Sequence, residues 1–297
     1  MLRHLITTFA LFLALAIPAA AEDNTPATAT DIALALGSGG AGGLSHIAML
    51  GVFDELKQKP AHISGTSVGA VIGALYAAGL SAKEIEAVFK EFNGDGFDVL
   101  QGIWDSGLSI GNLLKTSINE GGLLDASNFL DYLAEQVEAE RFEDLQIPLS
   151  IVATDYWTGE AVVIEEGDLF EAIAASMAVP GLFKPVTRGD QVLLDGGLAN
   201  PLPYQLLMGR YDHVIAIDVS GVRERSEEAA GLTQYLFKTF EIMQQSIIRQ
   251  MRQQDEPDLY LKPDTGDIQL LHFNRLNDIL EKAQPEAEKL REFLRSH

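Results

Sequence analysis

Ala61-His62-Ile63-Ser64-Gly65-Thr66-Ser67-Val68-Gly69 carries a short apolar strand, Ala61 to Ser64, into a small-residue helix, Val68 to Ala78. A serine between two glycines at such a join can occupy a sharp strand-to-helix turn, because the glycines leave room for close backbone packing and the hydroxyl clears the sheet edge. The following helix aims its N-terminal N–H groups at the point of attack, where they favour developing negative charge. G-x-S-x-G alone also occurs in ordinary glycine-rich turns. The segments on either side of it decide between the two.

Upstream, Gly37-Ser38-Gly39-Gly40-Ala41-Gly42-Gly43 is entered from the apolar strand Ile32 to Leu36 and leaves into an amphipathic helix, Leu44 to Lys59. Glycines let successive N–H groups converge on one anion, either a phosphate or an acyl-transfer oxyanion. Gly37, Gly39 and Gly42 also fit the G-x-G-x-x-G of dinucleotide-binding folds. Those folds want an acidic residue ending the second strand, and here that strand runs into Ser67 without one; Asp54 and Glu55 fall on the intervening helix. A non-catalytic nucleotide- or lipid-binding protein stays as an alternative. Downstream, Asp195-Gly196-Gly197 closes the apolar strand Gln191 to Leu194. An acid there is placed to meet another strand-end group across the sheet, although Asp-Gly turns are common.

In combination these segments resemble the patatin-like phospholipase family, more closely its bacterial branch related to the neuropathy target esterases. The resemblance rests on the glycine loop with Leu44-Ser45-His46-Ile47, the elbow Gly65 to Gly69, Ala153-Thr154-Asp155 with Thr158-Gly159-Glu160, the run Ala175 to Phe183, and Asp195-Gly196-Gly197. It extends in order from about Ile32 to Ser220. It implies a serine-aspartate dyad hydrolase of lipid acyl esters, with Ser67 as nucleophile, Asp195 as base, and the backbone of Gly37, Ser38 and Gly39 as oxyanion hole. With the strand-loop-helix order, it leads to a three-layer α/β/α domain with a mixed, mostly parallel central sheet. Ser38 stands where the family has glycine and Gly42 where it has arginine or lysine. Ser38 keeps its N–H, but without the cation at Gly42 the loop is poorer at holding phosphate, which favours lysophospholipids and neutral acyl esters as substrates.

The chemistry of the two residues agrees with a dyad. An aspartate with an ordinary pKa near ~3.9 is a weak base for a hydroxyl, so Asp195 must be desolvated and act in concert with attack. A Ser-His-Asp triad is the alternative among hydrolases, with His213 or His272 following Asp195 in the chain. His213 opens the strand His213 to Val219 and His272 lies in the irregular Leu270 to Phe273, so both read as structural or surface groups. His46 reads as a brace of the glycine loop.

Arg3, the apolar Leu5 to Ile17, and Ala19-Ala20-Ala21 before Glu22 predict a signal peptide over 1–21. The apolar stretch is shorter than the roughly 20 residues of a bilayer span. A disordered lead-in follows over 22–30, then one hydrolase domain over 31–297, with a core over 31–220 and a helical extension over 221–297. The chain has no cysteine, hence no lipobox anchor and no disulfides. These features predict a periplasmic or secreted protein. A net charge of -22 argues against nucleic acid and against docking on anionic lipid, leaving peripheral membrane contact to apolar surface. No cofactor and no metal are expected, since Asp95/Asp98 and Glu165/Glu166 lack metal-loop spacing. Oligomeric state is not encoded in any recognisable pattern.

Ser81-Ala82-Lys83-Glu84 is a capping box opening a helix to Phe92. Residues 93–122, rich in glycine and aromatics, read as a flap over the site or a surface excursion. Helices are expected over Asp125 to Val137 and Asp168 to Ala175, and paired strands over Leu149 to Ala153 and Ala161 to Ile164. After a charged linker, Arg223 to Glu228, a helix over Leu232 to Gln254 carries the stripe Leu232, Leu236, Phe240, Met243, Ile247, Met251. That stripe would pack on the domain, or else meet lipid or a second subunit. A last helix, Asp278 to Leu294, contains Pro285.

Overall fold

The computed structural model describes residues 31–92, 126–221 and 232–297, without the side chains of 232–234. The predicted signal peptide, the lead-in, the segment 93–122 and the linker 223–228 lie outside the described residues.

Among the described residues eight strands form one sheet: β1 (Ile32–Leu36), β2 (His62–Thr66), β3 (Leu149–Asp155), β4 (Ala161–Ile164), β5 (Val186–Arg188), β6 (Gln191–Asp195), β7 (His213–Ile217) and β8 (Leu259–Leu261). The order is β5-β6-β3-β2-β1-β7-β8, with β4 also on β3. The run β8-β7-β1-β2-β3 is parallel, and β4, β5 and β6 add antiparallel pairs. β1, and β7 from Val214 onward, read as continuous apolar runs because both faces are covered. On β1, Ile32, Leu34 and Leu36 enter one core and Ala33 and Ala35 the other.

The first core is covered by α1 (Ser45–Leu56), α2 (Val68–Ala77), α3 (Ala82–Phe92), α4 (Ser127–Ala134), α5 (Leu169–Ser176), α7 (Leu276–Lys282) and α8 (Gln284–Ser296). The second lies under α6 (Leu232–Gln254) and the turn Pro203–Leu206, with Leu202, Tyr204, Ile248 and Met251 against the two alanines. This is the mixed, mostly parallel three-layer arrangement the sequence predicts. Ends differ in detail: α1 stops at Leu56 because Lys57 turns left-handed, φ 55°. The capping box of α3 forms, with Ser81 N–H donating to Glu84 Oε2 at 2.8 Å.

The register around β3 sets up the site. β4 pairs with residues 151–154 of β3, β2 with 149–152, and β6 with 153–155. Ile151 and Val152 pair with both β2 and β4, and Ala153 and Thr154 with both β6 and β4, so β2 and β6 share the edge opposite β4, end to end. Thr66 lies opposite Val152, and Asp195 opposite Ala153. The residue leaving β2 therefore meets the residue ending β6.

The stripe expected to pack α6 does so only toward its C-terminal end: among its described side chains Leu236 and Met243 are exposed, Phe240 and Ile247 half-buried and Met251 buried, with Ile247 and Met251 against the second core. The helix instead buries Phe237, Glu241, Gln244, Ile248 and Met251, a face turned by about one residue, or ~100°. Ile248 and Met251 of this face reach the second core, while Gln244 lies over Gly197, beside a polar site.

Candidate active site

Ser67 caps α2 with φ 55° and ψ −122°. A positive φ strains a non-glycine residue by about 1–3 kcal/mol and persists only where neighbours enforce it. Two features do so. Ser67 N–H donates to Ser176 Oγ at 2.8 Å, and Ser176 Oγ–H donates to Val152 O at 2.6 Å, tying the turn to β3. Close packing does the rest: a Cβ on Gly69 would lie 2.2 Å from Leu36 O, and one on Gly65 2.7 Å from Gly69 O, so both glycines are required by the approach of α2 to the sheet.

Asp195 Oδ2 accepts the Ser67 hydroxyl at 2.6 Å, Oδ1 accepts Gly197 N–H at 2.7 Å, and its main-chain O accepts Thr154 Oγ1–H at 2.9 Å. The residue has no exposed surface. Burial raises its carboxyl, the bonds from Ser67 and Gly197 oppose this, and the result is pushed up to about 7. A carboxylate near neutrality bonded to a serine hydroxyl can take that proton as the hydroxyl attacks.

The glycine loop departs from expectation. Gly37 N–H donates to Ile217 O at 3.0 Å, prolonging the pairing of β1 with β7, and Ser38 N–H donates to Pro201 O at 2.8 Å. Two of the three expected oxyanion donors are thus already committed to backbone carbonyls. Gly39 and Gly40 N–H have no acceptor among the described residues, and both glycines are partly open to solvent. At Gly42 a side chain would start 3.2 Å from Val219 O and from Thr265 Oγ1, so the loop is crowded where the family carries a cation. Lys262, from β8 onward, is held by the buried Asp218 at 2.6 Å.

His46 is fully buried, with Nε2 2.9 Å from Gly37 O. Burial holds its pKa down to about 4, so the ring is neutral and donates to that carbonyl, bracing the loop as expected. His213 sits at the start of β7 beside Asp258 and Phe293, and His272 Nδ1 accepts Gln269 N–H at 3.1 Å. A serine-histidine pair does exist, His62 Nε2 with Ser150 Oγ at 2.8 Å, but it is buried at the opposite end of β2 and β3. Among the described residues no imidazole is a partner of Ser67 or Asp195. Among the described residues no cluster of metal-ligating side chains forms.

Sequence reasoning singled out the run Ala175 to Phe183 without giving Ser176 a task, and gave none to Gln244. Ser176 is a small polar residue at a helix end in that run, which was the available signal. Gln244 is one glutamine in a glutamine-rich helix, and nothing local marks it.

A match to the patatin-like phospholipase family model covers residues 34–208. An NTE family protein of Mycobacterium tuberculosis is 36% identical over 194 residues, 64% of this chain and 49% of that protein. Human patatin-like phospholipase domain-containing protein 6 is 33% identical over 201 residues, 66% of this chain and 14% of that protein. The aligned part thus spans about half of the mycobacterial relative and a small part of the human one. The crystal structure of VipD from Legionella pneumophila is similar over 89% of this chain and 66% of its own, with a TM-score of 0.49 and 14% identity. The family match opens inside β1 and ends beyond Asp195, taking in the glycine loop, the elbow and the acid-bearing strand, and by that extent this chain belongs to the patatin-like phospholipase family.

Proposed function

We propose that this protein is a serine hydrolase that cleaves acyl esters of lipids, with Ser67 as nucleophile and Asp195 as base. The observation that carries the reading is the 2.6 Å bond from Ser67 Oγ to a fully buried Asp195 carboxylate at a strained elbow. As Ser67 Oγ attacks the acyl carbon, Asp195 takes its proton and the carbonyl becomes an oxyanion. Gly39 and Gly40 N–H, the uncommitted amides of the loop, are the donors assigned to that oxyanion. Collapse expels the alcohol, which receives the proton from Asp195. Water then attacks the acyl-enzyme with Asp195 again as base, releasing the acid and restoring Ser67.

The lipid part of the reading draws on family membership and on exposed apolar groups near the site. Tyr156 and Trp157 follow the end of β3, beyond the level of Asp195, with their rings 4.7 Å apart and Trp157 74% exposed. On α6, Tyr235, Leu236, Ile242 and Met243 are exposed on one side, with no charge among Thr239 and Ser246 between them. Tyrosine and tryptophan favour the membrane–water boundary. The leader-like 1–21 supports export to the periplasm or beyond.

The test is covalent. A fluorophosphonate should label Ser67, and Ser67→Ala or Asp195→Asn should abolish both labelling and release of fatty acid from lysophospholipid or acylglycerol. Asp195→Asn at near wild-type turnover would overturn the assignment of the base.

A further inference from the structure

Two donors beside Asp195 have nothing to bond among the described residues. Ser38 Oγ and Gln244 Nε2 belong to residues 1% exposed, and neither atom has a partner among the described residues. They converge on one place. A Cβ built on Gly197 would lie 2.2 Å from Gln244 Nε2, 2.7 Å from Ser38 Oγ and 2.9 Å from Asp195 Oδ1. With no side chain on Gly197, both donors close in beside the oxygen of Asp195 that faces away from Ser67. Gln244 comes from α6, beyond the residues matched by the family model.

A buried donor without an acceptor is costly, whereas replacing it with an apolar group of similar shape is neutral or favourable, so an idle pair of this kind points to an acceptor brought from outside. The reaction says which part of a substrate comes here. The leaving oxygen must reach hydrogen-bond distance of Asp195 to receive its proton, so the alcohol portion lies beside this carboxylate. Both donors are neutral, which suits a hydroxyl or ether oxygen better than a phosphate.

We infer that Ser38 Oγ and Gln244 Nε2 form a subsite for the alcohol portion of the ester, selecting alcohols that carry a further oxygen, as glycerol does, over plain alkyl alcohols. The inference deepens the hydrolase reading and rests on it. A site that hydrogen-bonds a substrate oxygen discriminates against the analogue lacking it far more strongly than an apolar pocket discriminates by size.

The glyceryl and n-propyl esters of one medium-chain fatty acid differ only in two hydroxyls. Wild-type kcat/KM should favour the glyceryl ester by about tenfold or more. Gln244→Leu, and Ser38→Ala combined with it, should collapse that ratio toward one, with melting temperature unchanged or raised because idle buried donors are removed. Equal losses on both esters would mean that the pair serves only structure or a fixed water, and would overturn the subsite. So would an unaltered ratio, or a shifted acid limb of the pH profile with the ratio intact, which would make Gln244 a group acting on Asp195. A wild-type protein that cleaves neither ester and takes no fluorophosphonate would overturn the hydrolase reading and the subsite together.

Discussion

At the scale of single residues, Asp195 is where stability and chemistry oppose each other. Its carboxyl, ordinarily at 3.8, is pushed up to about 7 by burial. Between those values the folded state holds a proton that the unfolded state has released, so stability falls as pH rises through that window, by up to roughly 4 kcal/mol. Asp195→Asn should therefore melt higher than wild type at pH 8, with the gap closing toward pH 4; equal melting temperatures at pH 8 would contradict the raised value. Activity moves the opposite way, because only the unprotonated carboxylate accepts the serine proton. On the proposed mechanism, kcat/KM should have an acid limb near pH 7 and fall about tenfold per pH unit below it. Ser176 is the second sensitive position. Ser176→Ala strips the acceptor from Ser67 N–H and the donor from Val152 O, both buried. A loss of about 1–3 kcal/mol in urea unfolding is expected, with kcat reduced because the elbow loses its tether.

At the scale of elements, the elbow depends on how near α2 comes to the sheet. Gly69→Ala would set a methyl 2.2 Å from Leu36 O, a distance that a flexible side chain could relieve but backbone cannot. Overpacking of this kind costs about 1–3 kcal/mol or more, and the variant should unfold at lower denaturant while its hydrolysis is lost. α6 teaches a different lesson. Hydrophobic spacing located this helix and its ends, yet the buried face is the neighbouring one. Periodicity measures which side of a helix is apolar, whereas burial depends on what lies underneath, and under Gln244 lies Gly197.

At the scale of the whole molecule, the proposed lipid substrate brings charge and apolar surface into play. A net charge of -22 disfavours attraction to anionic bilayers. Binding to phosphatidylcholine vesicles should exceed binding to phosphatidylglycerol vesicles at low salt, and the difference should shrink as salt shortens screening to ~10 Å and below. Trp157→Ser with Ile242→Ser should weaken sedimentation with phosphatidylcholine vesicles and slow hydrolysis of vesicular lipid more than that of a soluble short-chain ester. Tighter binding to phosphatidylglycerol, or equal losses on both substrates, would remove these residues from the docking face. On the dyad reading, His213→Ala and His272→Ala should keep most of the activity, since both rings lie in other surroundings. Loss of several orders of magnitude with an unchanged melting temperature would restore a triad.

By itself the sequence determined the elements that local chemistry controls. Apolar runs bounded by glycine loops gave β1, β2 and β6; Ser81 with Glu84 opened α3; and glycines on both sides of Ser67 marked the elbow, because the close approach of α2 to the sheet leaves no room for a side chain there. It also named Ser67 and Asp195 as a pair, through the family resemblance. Only the tertiary structure decided that the two meet, because their 2.6 Å contact depends on β2 and β6 sharing one edge of β3 in a register set by long-range pairing. It likewise redistributed the loop amides, since hydrogen bonds from Gly37 and Ser38 to Ile217 and Pro201 join residues far apart in the chain. Gln244 came into view in the same way: a polar side chain becomes conspicuous when it is buried without a partner, and burial is a property of the assembled fold.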